Sequence, residues 1–297
     1  MIDGFRMFRV FVLFVVVGGA FVPLNAQRGR GGAPQGPPPV PRLAAPIDLT
    51  GYWVSLVTDD WRWRMVTPPK GDVLYVPVNA EGRRAADAWD PAKDEGAGEQ
   101  CRAYGAGGLM HLPGRLHIFW QDDATLVVEA DAGTQTRVMH FDPNAQTGAA
   151  PGNNVQPSWQ GYSVAQWEND GAGPGRRGRP SNVKPVHGSL RTVTTRMRPG
   201  YFRRNGVPYS ANAVLTEYWT TLQDEGVDYL VVTNILEDPQ YLAQPYVRSV
   251  QFATRGSGSA SLLGERGPWP TSFTKINCPG SSRSCPDASA PSSSTGN

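Results

Sequence analysis

Cysteine, histidine and net charge are all scarce in this chain. Its 297 residues hold 3 cysteines and 4 histidines, and the formal charge is only +2. Zincin chemistry needs H-E-x-x-H, dithiol redox chemistry C-x-x-C, an α/β-hydrolase G-x-S-x-G, and nucleotide cradling a P-loop. None of these occurs. His111 and His117 stand six apart with no third ligand at metal spacing, so neither a metal nor a cofactor is expected. Near-neutral charge gives no electrostatic reach toward nucleic acid. The one basic cluster, Arg176-Arg177-Gly178-Arg179, lies among Gly and Pro with no aromatic partner for base stacking, and reads as a solvated loop.

Long apolar runs are also lacking, except at the start. Arg6 and Arg9 precede an apolar run over residues 10–22, and Leu24-Asn25-Ala26 offers a small residue before Gln27. This pattern predicts a signal peptide over residues 1–26 and a mature chain in the periplasm or outside the cell. A membrane anchor is the alternative, but the run is shorter than the ~20 residues a spanning helix needs. Residues 27–45, "QRGRGGAPQGPPPVPRLAA", form a Gly/Pro linker, and residues 279–297 form a Ser-rich tail; neither composition can bury a core. Residues 46–278 remain as the folded domain. In an oxidising compartment two of the three cysteines are expected to pair. Cys101 with Cys278 is the expected bond, because Cys285 lies in the tail.

Helical periodicity is missing from most of this domain, and a period of two takes its place. In residues 115–121 Leu116, Ile118 and Trp120 alternate with Arg115, His117, Phe119 and Gln121. Asp122-Asp123 and Asp131-Ala132-Gly133 then separate residues 125–130 and 134–141, which predicts a three-stranded meander. Residues 159–168, 189–198, 214–222, 228–237 and 246–254 read as further strands, each bounded by turn formers. The opening stretch "DLTGYWVSLVTDDWRWRM" counts as two strands, the second with Trp61, Trp63 and Met65 inward and Arg62 and Arg64 wetted. Residues 73–78 are a further candidate. Only residues 79–90, with Asn79 as cap and Pro91 as stop, suit a helix. The expectation is an all-β antiparallel barrel of about eight to ten strands with one short helix.

Gly51-Tyr52-Trp53 resembles the G-x-W signature of lipocalin-like (calycin) barrels. The resemblance implies that Trp53 closes one barrel end and that Arg248, on the last strand, packs across its ring. A second set of runs, "WQGYSVAQWE", "RPGYFRRNGVPYS", "TEYW", "ILEDPQYL" and "QPYVRS", is similar to a group of exported bacterial proteins with no assigned activity. In that group a two-residue turn follows "WE", whereas here residues 169–187 insert a Gly/Pro/Arg loop.

Candidate site residues follow from this architecture. Trp61, Trp63, Phe119 and Trp219 are expected to line an aromatic cavity. Tyr201, Arg203, Arg204 and Tyr209, on a loop of "RPGYFRRNGVPYS", are expected to grip oxygen-rich groups at its mouth. If Phe119 and Trp219 face inward, His117 and Glu217 share that face and form an acid/base pair; otherwise both are ordinary surface residues. Asp238 reads either as a third ionisable candidate or as the cap of the turn at Pro239. The leading expectation is a protein binding a small hydrophobic or amphipathic molecule, ahead of a barrel enzyme or a structural envelope protein.

Overall fold

Alternating burial is the organising feature of the chain. The computed structural model describes residues 40–141, 155–169 and 188–254, and its strands are β1 (Gly51–Leu56), β2 (Arg115–Asp122), β3 (Thr125–Ala130), β4 (Gln135–His140), β5 (Tyr162–Asn169) and β6 (Gly188–Thr195), then β7 (Gly200–Arg203), β8 (Val207–Tyr209), β9 (Val214–Asp224), β10 (Val227–Glu237) and β11 (Tyr246–Thr254). Nine of them close a barrel in the order β1-β11-β10-β9-β6-β5-β4-β3-β2, while β7 and β8 form a separate hairpin. The meander over β2, β3 and β4 and the hairpins β9–β10–β11 occur where the alternation predicts them. The predicted signal peptide, most of the linker, Cys278, Cys285 and the tail lie outside the described residues.

The barrel is not purely antiparallel. β4 and β5 pair in parallel through Met139–Ser163 and His140–Val164. The reason is parity: a closed ring of alternating strands needs an even number, and nine strands force one parallel neighbour pair. Strand β5 begins at Tyr162 rather than 159, and β6 ends at Thr195 rather than 198.

Five short helices and one 3₁₀ turn stand among the described residues, where the sequence predicts one helix. They are α1 (Pro41–Ala44), α2 (Trp61–Arg64), α3 (Ala80–Ala88), α4 (Pro91–Gly96), the 3₁₀ turn η1 (Gln100–Tyr104) and α5 (Ala106–Leu109). The predicted helix is α3: Asn79 Oδ1 accepts from Gly82 N at 2.9 Å, and Asn79 Nδ2 donates to Gln240 O at 3.0 Å, tying the cap to the β10–β11 connection. Residues 73–78 form no strand; only Val78 makes an isolated bridge, to Leu242.

The largest departure is at residues 61–65, which form the helical turn α2 instead of a strand. Asp60 takes a left-handed conformation (φ 51°) and reverses the chain. The expected faces hold only at Arg62, which is exposed: Trp61 and Met65 are exposed too, Trp61 at 64%, whereas Arg64 is buried at 5%. Arg64 is drawn in because Nε donates to His111 O at 2.9 Å, Nη1 to Leu56 O at 3.2 Å and Nη2 to Ser55 Oγ at 3.2 Å. Two of these acceptors, Leu56 O and Ser55 Oγ, belong to β1, so the guanidinium ties the turn back onto the barrel.

Inward residues of the nine strands fill the lumen. Leu116, Ile118, Leu126, Val128, Met139, Leu190, Trp219, Leu230, Val232, Val250 and Phe252 pack into one cluster with Trp53. At one barrel end residues 41–50 lie over this cluster, where Trp167 Nε1 donates to Pro41 O at 2.8 Å and Trp53 Nε1 to Leu49 O at 2.9 Å. At the other end a second apolar cluster, including Val76, Ala86, Phe202, Tyr209, Leu215 and Leu242, packs under α3 and the β7–β8 hairpin.

Candidate functional site

A polar girdle separates the two clusters. Arg137 on β4 and Glu217 on β9 are both fully buried, and their side chains meet across the lumen in a bidentate pair, Nη1–Oε1 at 2.9 Å and Nη2–Oε2 at 2.6 Å. Thr192 Oγ1 donates to Glu217 Oε2 at 3.1 Å, and Arg137 Nη2 reaches Thr194 Oγ1 at 3.3 Å. Glu217 is thus an anchored structural carboxylate.

His117 does not join it. Leu116 and Ile118 take the inward positions of β2, which turns His117 and Phe119 outward. There the imidazole stacks on Tyr52 (centroids 4.3 Å) and Phe119 (4.8 Å), and Nδ1 lies 3.0 Å from Glu129 Oε2. The sequence-predicted acid/base pair of His117 and Glu217 is therefore divided between the outer face and the lumen. The conditional behind it fails because Phe119 faces outward while Trp219 faces inward.

Arg248 does not pack on Trp53. On β11 Arg248 sits opposite Asn234, while Trp53 sits opposite Thr254. Six residues of strand separate the two positions, about 20 Å. Arg248 instead pairs with Asp60, Nε–Oδ2 3.0 Å, and lies 5.1 Å from the Tyr246 ring centroid. Trp53 itself is buried in the core at 2% exposure. Asp238 takes the capping role: its carboxylate accepts from Ser210 N (2.6 Å), Ser210 Oγ (2.8 Å) and Gln240 N (3.1 Å).

The remaining predicted binding residues gather at the hairpin end. Gly105, Gly107 and Gly200 crowd against the Tyr209 ring, and a Cβ at Gly105 or Gly200 would collide with its hydroxyl. Tyr209 is consequently 1% exposed, a floor beneath the hairpin rather than a wall, and burial pushes its phenol well above the usual tyrosine range. Tyr201 is more open. Its hydroxyl donates to Asp94 Oδ2 at 2.9 Å, and the Arg102 guanidinium lies 4.8 Å from its ring centroid. Burial first and the Asp94 hydrogen bond second raise its affinity for its proton.

Between α4, η1 and β7 a cleft of about 240 Å³ opens, walled by Trp89, Tyr104 and Tyr201 with Asp94, Arg102 and Arg204. Three buried polar atoms of its lining residues, Gln100 Oε1, Arg102 Nε and Arg204 Nε, have no hydrogen-bond partner among the described residues. Other such atoms, among them Arg137 Nε and Gln251 Oε1, lie away from the cleft, so they do not by themselves mark it. A smaller pocket of about 30 Å³ adjoins through Arg204, with Trp63, Arg64, His111 and Arg203 among its lining residues. Burial, then Arg64, Arg248 and Arg203, push the His111 imidazole down to about 3. At the opposite barrel end a groove of about 280 Å³ runs between residues 42–50 and Trp120, Leu126 and Trp167.

Sequence reasoning found Tyr201, Arg203 and Arg204 but not Trp89, Asp94, Arg102 or Tyr104, which have no strand periodicity to mark them. Arg137 did leave a signal, a charged residue sharing the inward parity of Met139. No group of three or more metal-ligating side chains occurs among the described residues, and no described helix is long and apolar enough to cross a membrane. No family model, curated protein or solved structure matches the chain.

Proposed function

We propose that this chain is an exported, lipocalin-like binding protein for a small amphipathic molecule, and that the ligand seats in the cleft between α4, η1 and β7 instead of in the filled lumen. Export rests on the Arg-flanked apolar run of residues 10–22 and the small residue Ala26. The observation that carries the binding reading is the cleft itself, which sets the rings of Trp89, Tyr104 and Tyr201 beside the charged groups of Asp94, Arg102 and Arg204. Apolar rings supply affinity by burial while a few fixed polar groups set orientation, which is how small-molecule sites divide their work. A molecule with an oxygen-bearing group accepts hydrogen bonds from the arginines of this lining, and each such bond contributes about 0.5–1.5 kcal/mol.

The test is mass spectrometry of small molecules extracted from protein purified out of a periplasm, alongside a Trp89→Ala/Tyr201→Ala variant. A compound carried by the wild type and lost from the folded variant supports the reading. Equal carriage by both, or a wild type that carries nothing and whose tryptophan fluorescence responds to no amphiphile, contradicts it.

A further inference from the structure

The small pocket beside the cleft has an unusual charge balance. Arg64, Arg203 and Arg204 all line it, and none of the three has a carboxylate within 4.0 Å among the described residues. Its one acidic lining residue, Asp60, is engaged by Arg248 at 3.0 Å.

The three guanidinium groups differ in what they leave free. Arg64 commits one N–H each of Nε, Nη1 and Nη2 to His111 O, Leu56 O and Ser55 Oγ, which fixes its charge beside the pocket. Arg204 fixes its Nη2 on Arg64 O at 2.8 Å and keeps Nε unpartnered. Arg203 is 8% exposed, lies 5.2 Å from the Trp63 ring centroid, and leaves Nη1 unpartnered. A buried cation with an open donor carries a desolvation penalty that an anion would offset. The neighbouring imidazole reports the same field: burial and the surrounding arginines hold His111 neutral, so it adds no further positive charge.

We infer that this pocket is an oxyanion subsite, lined by the guanidinium groups of Arg203 and Arg204, that takes a carboxylate. Its volume of about 30 Å³ holds roughly two water-sized groups, the size of a carboxylate's two oxygens. Because Arg204 lines both concavities, the carboxylate is the head of a ligand whose apolar part lies toward the aromatic cleft. This last step rests on the binding function proposed above, whereas the oxyanion subsite stands on its own geometry.

The experiment titrates ¹⁵N-arginine-labelled full-length mature protein with acetate, inorganic phosphate, decanoate and decanol, reading the side-chain Nε–H signals assigned through Arg203→Lys and Arg204→Lys. The expected result is saturable movement of the Arg204 signal with acetate and decanoate, and decanoate binding at least about tenfold tighter than decanol. Arg203→Met, checked for native circular dichroism, abolishes that preference; Arg204→Gln does the same if the methionine variant fails to fold. Acetate moving the signal while neither amphiphile binds supports the subsite and removes the amphipathic reading. Decanoate and decanol binding equally, with the arginine signals still, overturns the subsite and leaves the amphipathic reading standing. Phosphate binding more tightly than acetate overturns the assignment to a carboxylate, and no movement with any anion overturns the subsite itself.

Discussion

Breaking the Arg137–Glu217 pair is the perturbation whose size the structure sets most clearly. Both side chains are fully buried and joined at 2.9 and 2.6 Å across the lumen. Glu217→Leu leaves the Arg137 guanidinium in the barrel with only the Thr194 hydroxyl, 3.3 Å away, as a remaining acceptor. An uncompensated charge of this kind costs about 3–5 kcal/mol. For a domain of this size that lowers Tm by about 6–20 °C, at roughly 2–4 °C per kcal/mol. Arg137→Met strands the carboxylate against Thr192 and is expected to cost a similar amount. The double variant removes both charges and fills part of the space with methylene groups, so it is expected to recover to within about 2 kcal/mol of wild type. Urea denaturation measures all four corners of the cycle, with the slope checked for constancy so that the midpoint reports stability. Additive losses in the double variant, or single losses below about 1 kcal/mol, would refute the claim that the pair is a coupled strut inside a dry lumen.

Trp53→Ala should lower stability by about 3–5 kcal/mol, since it empties a core position and frees the Leu49 carbonyl, whereas Trp61→Ala on the 64% exposed ring should stay within about 0.5 kcal/mol; chemical denaturation compares the two. His111, held to about 3 in the folded protein, binds fewer protons there than when unfolded, so its contribution is complete above the ordinary imidazole range and is lost as pH falls from about 6.5 toward 3. His111→Gln should therefore flatten the acid limb of stability by up to about 1.4 kcal/mol per pH unit in that window, and an unchanged slope in urea titrations would contradict it. Non-reducing peptide mapping should join the buried Cys101 to Cys278, a closure worth about 4–5 kcal/mol on the chain-entropy model, and a Cys278–Cys285 peptide would refute that pairing.

What was legible in the sequence was whatever repeats locally. The strands β2 to β4 and β9 to β11 alternate at period two between turn residues, which marks where the strands lie, although both faces of β2 carry apolar rings and Phe119, expected inward, faces out. Asn79 announces α3 in the same local way. The segments over the hairpin end obey no such period because their polar groups are satisfied from far along the chain. Arg64 is buried by a carbonyl 47 residues away, and Asn205 Nδ2 donates to Pro69 O and Asp72 O, 136 and 133 residues away. A run such as "DDWRWRM" therefore reads as a strand when its long-range acceptors are unknown. The mixed strand pairing was hidden for a different reason: it follows from the exact strand number, and a single extra or missing strand changes the parity. The cleft draws Trp89, Asp94, Arg102 and Tyr104 from turns and short helices, so only Tyr201 and Arg204 could be singled out beforehand, in an arginine-rich stretch that reads as a loop and forms the β7–β8 hairpin.

The central claim is that ligand enters at the hairpin end and leaves the lumen alone. Chemical-shift mapping of ¹H–¹⁵N spectra, with a compound recovered from the protein added back to stripped protein, tests it most directly. The account predicts perturbations concentrated at Trp89, Asp94, Arg102, Tyr104, Tyr201 and Arg204. Perturbations concentrated instead at Leu126, Val128, Leu190 and Trp219, the residues packed inside the barrel, would contradict it.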